Sequence, residues 1–161
     1  MMEKLFIAII FIQGFFYNAT AQKEIDSLKK YLPQLNGSER IDCLLKISFE
    51  YGHINNDSDN IFSPVNTDSA IWYASNALIQ SKNINYYKGI ANAYENLGEM
   101  AYSYNFHEAE NYFRQATELY KRINDFKNLN WSYLWLGFYL MYECRFDEAR
   151  LEFQKAFLII N

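Results

Sequence analysis

Apolar and small residues recur along this chain on one helical face, twice in the same order. Phe106, Ala109, Phe113 and Ala116 are matched further on by Phe146, Ala149, Phe153 and Ala156, each at one constant displacement. Steps of three and four residues place all four on one side of an α-helix. A weaker copy, Ala70, Ala74 and Ala77, precedes them at nearly the same interval. Upstream of the strong copies stand Leu97-Gly98 and Leu136-Gly137, again spaced by almost that interval, and Ile47-Ser48 holds that place in the first copy. Three helix pairs fit these spacings. Small residues at fixed places let a neighbouring helix come close, and the aromatic between them fills the space beside the contact. A glycine inside a helix costs about 1 kcal/mol against alanine, which close packing of the paired helix offsets.

The pattern predicts a lead-in helix over 23–31 with Ile25, Leu28 and Leu32 inward, ended by Pro33 and Gly37. The first pair runs from Ser38 to about Tyr51, then from a cap at Thr67 or Asp68 to near Ser81. The second pair covers about 86–103 and 107–123, and the third about 127–143 and 147–160. The resulting units are 22–37, 38–83, 84–124 and 125–161. The stretch from Ser48 to Ala70 is nearly twice as long as its counterparts, Gly98 to Ala109 and Gly137 to Ala149, so extra residues sit in a loop over 53–66. That polar insertion around Ile61-Phe62 is either a contact loop or a tolerated surface excursion. No strand-like alternation competes with this all-α reading.

The first residues carry a different signal. Lys4 precedes an apolar run, Leu5 to Phe16, and Ala19-Thr20-Ala21 has the small-x-small pattern of a cleavage site. The run falls short of the roughly 20 apolar residues that span a bilayer. Residues 1–21 are therefore expected to be a signal peptide, leaving an exported chain, periplasmic or extracellular, with no stable membrane insertion after cleavage. The formal charge of −4 and the lack of a basic stripe exclude a nucleic-acid partner. Cys43 and Cys144 fall on the first and third repeats. Helix layers stack about 10 Å apart, while a disulfide needs Cα atoms within about 7 Å. Two free thiols are expected, Cys43 acting as a small buried hydrophobe.

Leu136-Gly137, Leu140, Phe146, Ala149, Phe153 and Ala156 resemble the tetratricopeptide repeat family, whose helix–turn–helix carries Leu-Gly, an aromatic, Ala, an aromatic and Ala at this spacing. The resemblance covers about 38–161 and implies an α-α superhelix, a solenoid of about three repeats. The chain departs from the family in several places. Ser48 replaces glycine and Ala74 the aromatic in the first copy, and neither strong copy has the closing proline. The period is also longer than that family's usual one, with the excess between Ala116 and Leu136. The second copy is one residue short between Leu97-Gly98 and Ala109, which predicts a tightened turn there.

The resemblance also implies that the first helices of the pairs line a concave face that binds extended peptides or partner segments. Helical register puts Trp131, Leu134, Phe138, Met141 and Tyr142 on that face of the third pair. Asn92, Glu95, Glu99 and Tyr102 take the second pair, and Asp42, Leu45 and Phe49 the first. An apolar floor with carboxylates beside it suits a partner combining aromatics with Lys or Arg. The competing expectation is that the aromatic cluster packs against further repeats or another chain. The apolar Phe157-Leu158-Ile159-Ile160 likewise predicts an array uncapped at this end, open to self-association or to downstream repeats.

Catalytic chemistry finds no foothold. His53 and His107 are not at ligand spacing with any Cys or His, and no phosphate-cradling loop or nucleophile elbow occurs. Asp57-Ser58-Asp59-Asn60 opens like a calcium loop but lacks its glycine and closing glutamate. No enzyme, cofactor or metal is expected. The function predicted is a non-catalytic protein–protein interaction scaffold. A second expectation comes from the leader, Asp26-Ser27-Leu28 and Thr67-Asp68-Ser69-Ala70, which resemble the external sensor region of bacterial membrane histidine kinases. It would make this chain the N-terminal sensor part of a two-component regulator.

Overall fold

The computed structural model describes residues 19–54, 64–102 and 105–160. The inserted loop falls mostly outside the described residues, as does the apolar leader run. Every described element is helical. Helix α1 covers 19–31 and leads through a 3-10 turn, Leu32–Gln34, into α2, Gly37–His53. Then come α3, Pro64–Asn83; α4, Tyr87–Ala101; α5, Phe106–Arg122; and α6, Phe126–Tyr142. The last is α7, Phe146–Ile160.

Local chemistry sets these boundaries. Asn105 caps α5 by accepting the Glu108 amide at 3.2 Å, and its side-chain amide donates to the Glu108 carboxylate. Asp125 caps α6 through the Asn128 amide. Three helix ends close in one way, each with a residue in the left-handed region: Asn85 at φ 57°, Asn124 at 56° and Cys144 at 59°. At each, the next amide reaches back to a carbonyl five residues earlier: Tyr86 to Ser81, Asp125 to Tyr120 and Arg145 to Leu140. This paired closure satisfies the orphan carbonyls and reverses the chain.

One local expectation is corrected. Helix α3 begins at Pro64, not at Thr67 or Asp68; proline suits the first helical turn, where its missing N–H leaves no bond unmade. Thr67 is buried within the helix. The turn expected to be tightened in the second copy includes residues 103–104, which lie outside the described residues. Helix α4 ends three residues after Gly98, whereas α6 continues five beyond Gly137.

Packing follows chain order. Each helix from α2 to α7 packs on the next, α2 also packs on α4, and neither α2 nor α3 packs comparably on α6 or α7. Among the described residues this is an open array of helix pairs, with no closed bundle. Ala77 and Ala93 lie in one core cluster with Ile41, Leu44 and Leu45. Ala101, Ala109 and Phe113 meet Leu136, Tyr139, Leu140 and Ala149 in another. The alanines bring helices together where a larger side chain would hold them apart. Gly52, unremarked in the repeat, lies so close to Met100 that an added Cβ would collide with that side chain. Cys43 is buried, Cys144 is exposed, and both are free.

Candidate binding groove

Side chains from α2, α4 and α6 line a groove of roughly 400 Å³. Asp42, Leu45 and Lys46 come from α2, Lys88, Asn92, Glu95 and Asn96 from α4, and Asn128 from α6, with Tyr86 at the entry to α4. Of the residues read from sequence, Asp42, Leu45, Asn92 and Glu95 are brought together here. Leu45 gives little to the groove: it is 6% exposed and packs in the core. Lys46, Tyr86, Lys88, Asn96 and Asn128 are additions that the sequence reading missed. Helical spacing holds a signal for three of them. Lys46 lies four residues beyond Asp42, and Lys88 and Asn96 flank Asn92 by four on either side.

The groove walls are tied across by polar bonds. Tyr86 donates to the Asp42 carboxylate at 3.1 Å, and burial beside that carboxylate pushes its phenol up to about 12. The Asn96 amide donates to the Leu45 carbonyl at 3.0 Å. Lys88 lies 3.7 Å from Asp125, and Lys46 pairs with Glu24. The groove is thus polar and mixed in charge where α2 faces α4.

Along α6 the surface turns aromatic. Asn128 lines the groove, and Trp131, Trp135, Phe138 and Tyr142 follow it at alternating steps of three and four, which keeps them near one side of the helix. Trp131 is 57% exposed, Phe138 45% and Tyr142 69%. Leu134 is half-buried. Tyr102, which caps the end of α4, meets Tyr142 of this row edge-on at 5.6 Å and lies 6.5 Å from the ring of Tyr139. Phe138 stacks edge-on against Trp135 and Phe153. Phe49 is exposed on α2 and stacks on His53 at 4.1 Å.

Met141 belongs to a different surface. With Phe146, Phe153, Phe157 and Leu158 it lines an apolar face beside α7. On α5 the matching aromatic, Phe113, is fully buried and stacks parallel to Trp135 of α6. On α7, Phe157 and Leu158 remain exposed.

Glu95 lines the groove from α4, and Glu99 follows it one turn further along the same helix. Both are half-buried, and desolvation raises their carboxyl groups to about 7 and about 8 respectively. Sequence register makes them free groove acids. Glu95 is instead engaged from below: the hydroxyl of Tyr120, a fully buried residue of α5, lies 2.6 Å from its Oε2 and 2.8 Å from Asn92 Oδ1.

Among the described residues, no group of three or more His, Cys, Asp or Glu side chains is placed to hold a metal ion, and no helix is long and apolar enough to cross a membrane. No protein-family model and no curated protein matches this chain.

Proposed function

We propose that this chain is a non-catalytic scaffold of the tetratricopeptide type, which binds a peptide or partner segment in the concave groove of α2, α4 and α6. One observation carries the reading. Trp131, Phe138 and Tyr142 form an exposed aromatic row on α6, the helix that also brings Asn128 to the polar groove. Large exposed aromatics beside convergent polar groups are typical anchors for a partner chain. The glycine and alanine positions of the repeat, and the pairwise stacking, support the family reading. Asn92, Asn96 and Asn128 supply amide donors and acceptors of the kind that matches an extended backbone. The leader at 1–21 supports an exported location, where such a scaffold would meet its partner.

Selection of random dodecamer peptides on the purified chain tests this. Bound peptides should lose at least tenfold in affinity for the Trp131→Ala/Tyr142→Ala double variant. Unchanged binding by that variant would show that the groove is not the site.

A further inference from the structure

The outward face of α7 departs from the pattern set by its counterpart in the preceding pair. On α5 that face carries α6: the Phe113 ring lies parallel to Trp135, and the Thr117 hydroxyl meets that of Ser132 at 2.9 Å. Glu110 of the same face is held by Arg145 at 2.7 Å. The repeat displacement puts Phe157 where Thr117 stands and Arg150 where Glu110 stands. A helix like α6 brought to α7 would find a ring in place of its hydroxyl partner. An arginine in the place of Arg145 would meet a cation. The face fits a different occupant.

That face matches itself. Ala149, Arg150, Phe153, Gln154, Phe157 and Leu158 line one apolar depression along α7, at the alternating steps of a helix-packing seam. A second α7, turned antiparallel about a two-fold axis between Phe153 and Gln154, pairs all six with one another. Ala149 then lies opposite Leu158, so a small residue receives a large one. Arg150 lies opposite the Phe157 ring, a cation–π contact, and not opposite the other copy's Arg150. Its ion pair with Asp147, at 3.8 Å between two largely exposed side chains, holds it only weakly. Phe146 is 64% exposed, Phe157 66% and Leu158 74%. With Met141 they leave about 500 Å² of apolar surface per copy. A patch of that size marks an interaction site, and about 1,000 Å² over two copies reaches the lower bound of a specific contact.

We infer that α7 is the contact of a two-fold homodimer, in which a second copy of this chain packs antiparallel on the face from Ala149 to Leu158. The contact belongs to the weak class, with a Kd of roughly 1–100 µM. It uses none of the residues that line the groove of α2, α4 and α6, so it does not depend on the groove reading.

Sedimentation of the purified chain over a concentration series tests the dimer. Monomer and dimer should exchange with concentration, and Leu158→Glu should weaken the association at least tenfold with unchanged helix content by circular dichroism. Arg150→Glu sets a carboxylate against the Phe157 ring and should weaken it independently, which decides the question should Leu158→Glu fail to fold. Trp131→Ala/Tyr142→Ala should dimerise like the parent. A chain that stays monomeric well above the expected Kd would overturn the inference, as would association that both α7 variants leave unchanged. Cys144 is exposed and Cys43 buried, so a thiol-specific spin label on Cys144 reads the alignment. The antiparallel register sets the two labelled backbones about 30 Å apart. A separation near 10 Å, as two parallel helices give, would contradict it.

Discussion

A Cβ placed on Gly98 would lie 3.0 Å from the ring of Phe113, and one on Gly137 would lie 2.6 Å from the ring of Phe153. Glycine on the first helix and phenylalanine on the second are therefore two halves of one contact. The first pair supports this by changing both. Ser48 stands where the glycines stand and Ala74 where the phenylalanines stand, and the Ser48 hydroxyl donates to the Ala70 carbonyl at 2.8 Å. With no ring to receive, the position takes a side chain.

That coupling predicts a change of sign. Gly98→Ala gains about 1 kcal/mol of helix propensity but presses on a fully buried ring, and overpacking costs about 1–3 kcal/mol. We expect a net loss of about 1 kcal/mol in urea unfolding. Phe113→Ala should lose about 3–5 kcal/mol. In the Phe113→Ala background, Gly98→Ala should become stabilising. Gly137→Ala should be nearly neutral, because the Phe153 ring is only half-buried and can turn aside. Equal effects of Gly98→Ala in both backgrounds would show that the two residues are not coupled.

The left-handed residue Cys144 is exposed and is the one β-carbon-bearing residue there that lacks an amide to compensate. Asn85 and Asn124 tolerate this conformation better. Cys144→Gly is expected to stabilise the protein by about 1 kcal/mol, seen as a higher thermal midpoint. A lower midpoint would mean that the α6–α7 reversal does not hold this shape.

Stability should fall as pH rises through the neutral range. Glu95 and Glu99 have folded-state pKa values raised to about 7 and about 8 by desolvation. The folded state therefore binds more protons than the unfolded one between about pH 4.5 and 8, and the slope of stability against pH is negative there. Burial raises Glu50 in the same direction. Glu110 and Glu148, held below the usual range by Arg145 and Arg114, act oppositely but only in the acid region. Thermal midpoints at pH 5, 6, 7 and 8 should decline, and Glu95→Gln/Glu99→Gln should flatten most of that decline. The same slope in the variant would remove these acids as its cause.

Binding and stability should separate at the aromatic row. Trp131 and Tyr142 are exposed, so Trp131→Ala and Tyr142→Ala should each change unfolding free energy by less than about 0.5 kcal/mol. A loss of more than about 2 kcal/mol would show that these rings hold the fold together.

Most of the fold is legible in the sequence because the repeat states its contacts twice. Periodicity places the helices from Ser38 and beyond Tyr86 close to their observed ends. The start of α3 escapes that reading because Pro64 follows a polar insertion and reads as part of it. The groove is legible by face but not by depth. Register puts Asp42 and Leu45 close together on α2, yet only packing against Ala77 and Ala93 decides that Leu45 is core. Nothing local in the sequence says that Tyr120, far along the chain from Glu95, donates a hydrogen bond to it. Met141 lines the face beside α7, and because α6 carries apolar residues on more than one side, periodicity alone does not separate that face from the one toward the groove.

The most direct test is an amide chemical-shift titration of the 15N-labelled protein with the tightest selected dodecamer. Shifts should concentrate on α2, α4 and α6, with the Trp131 indole and the Asn92, Asn96 and Asn128 side-chain amides among the largest. Shifts concentrated on α3, α5 or the outer face of α7 would contradict a groove formed by the first helices of the pairs.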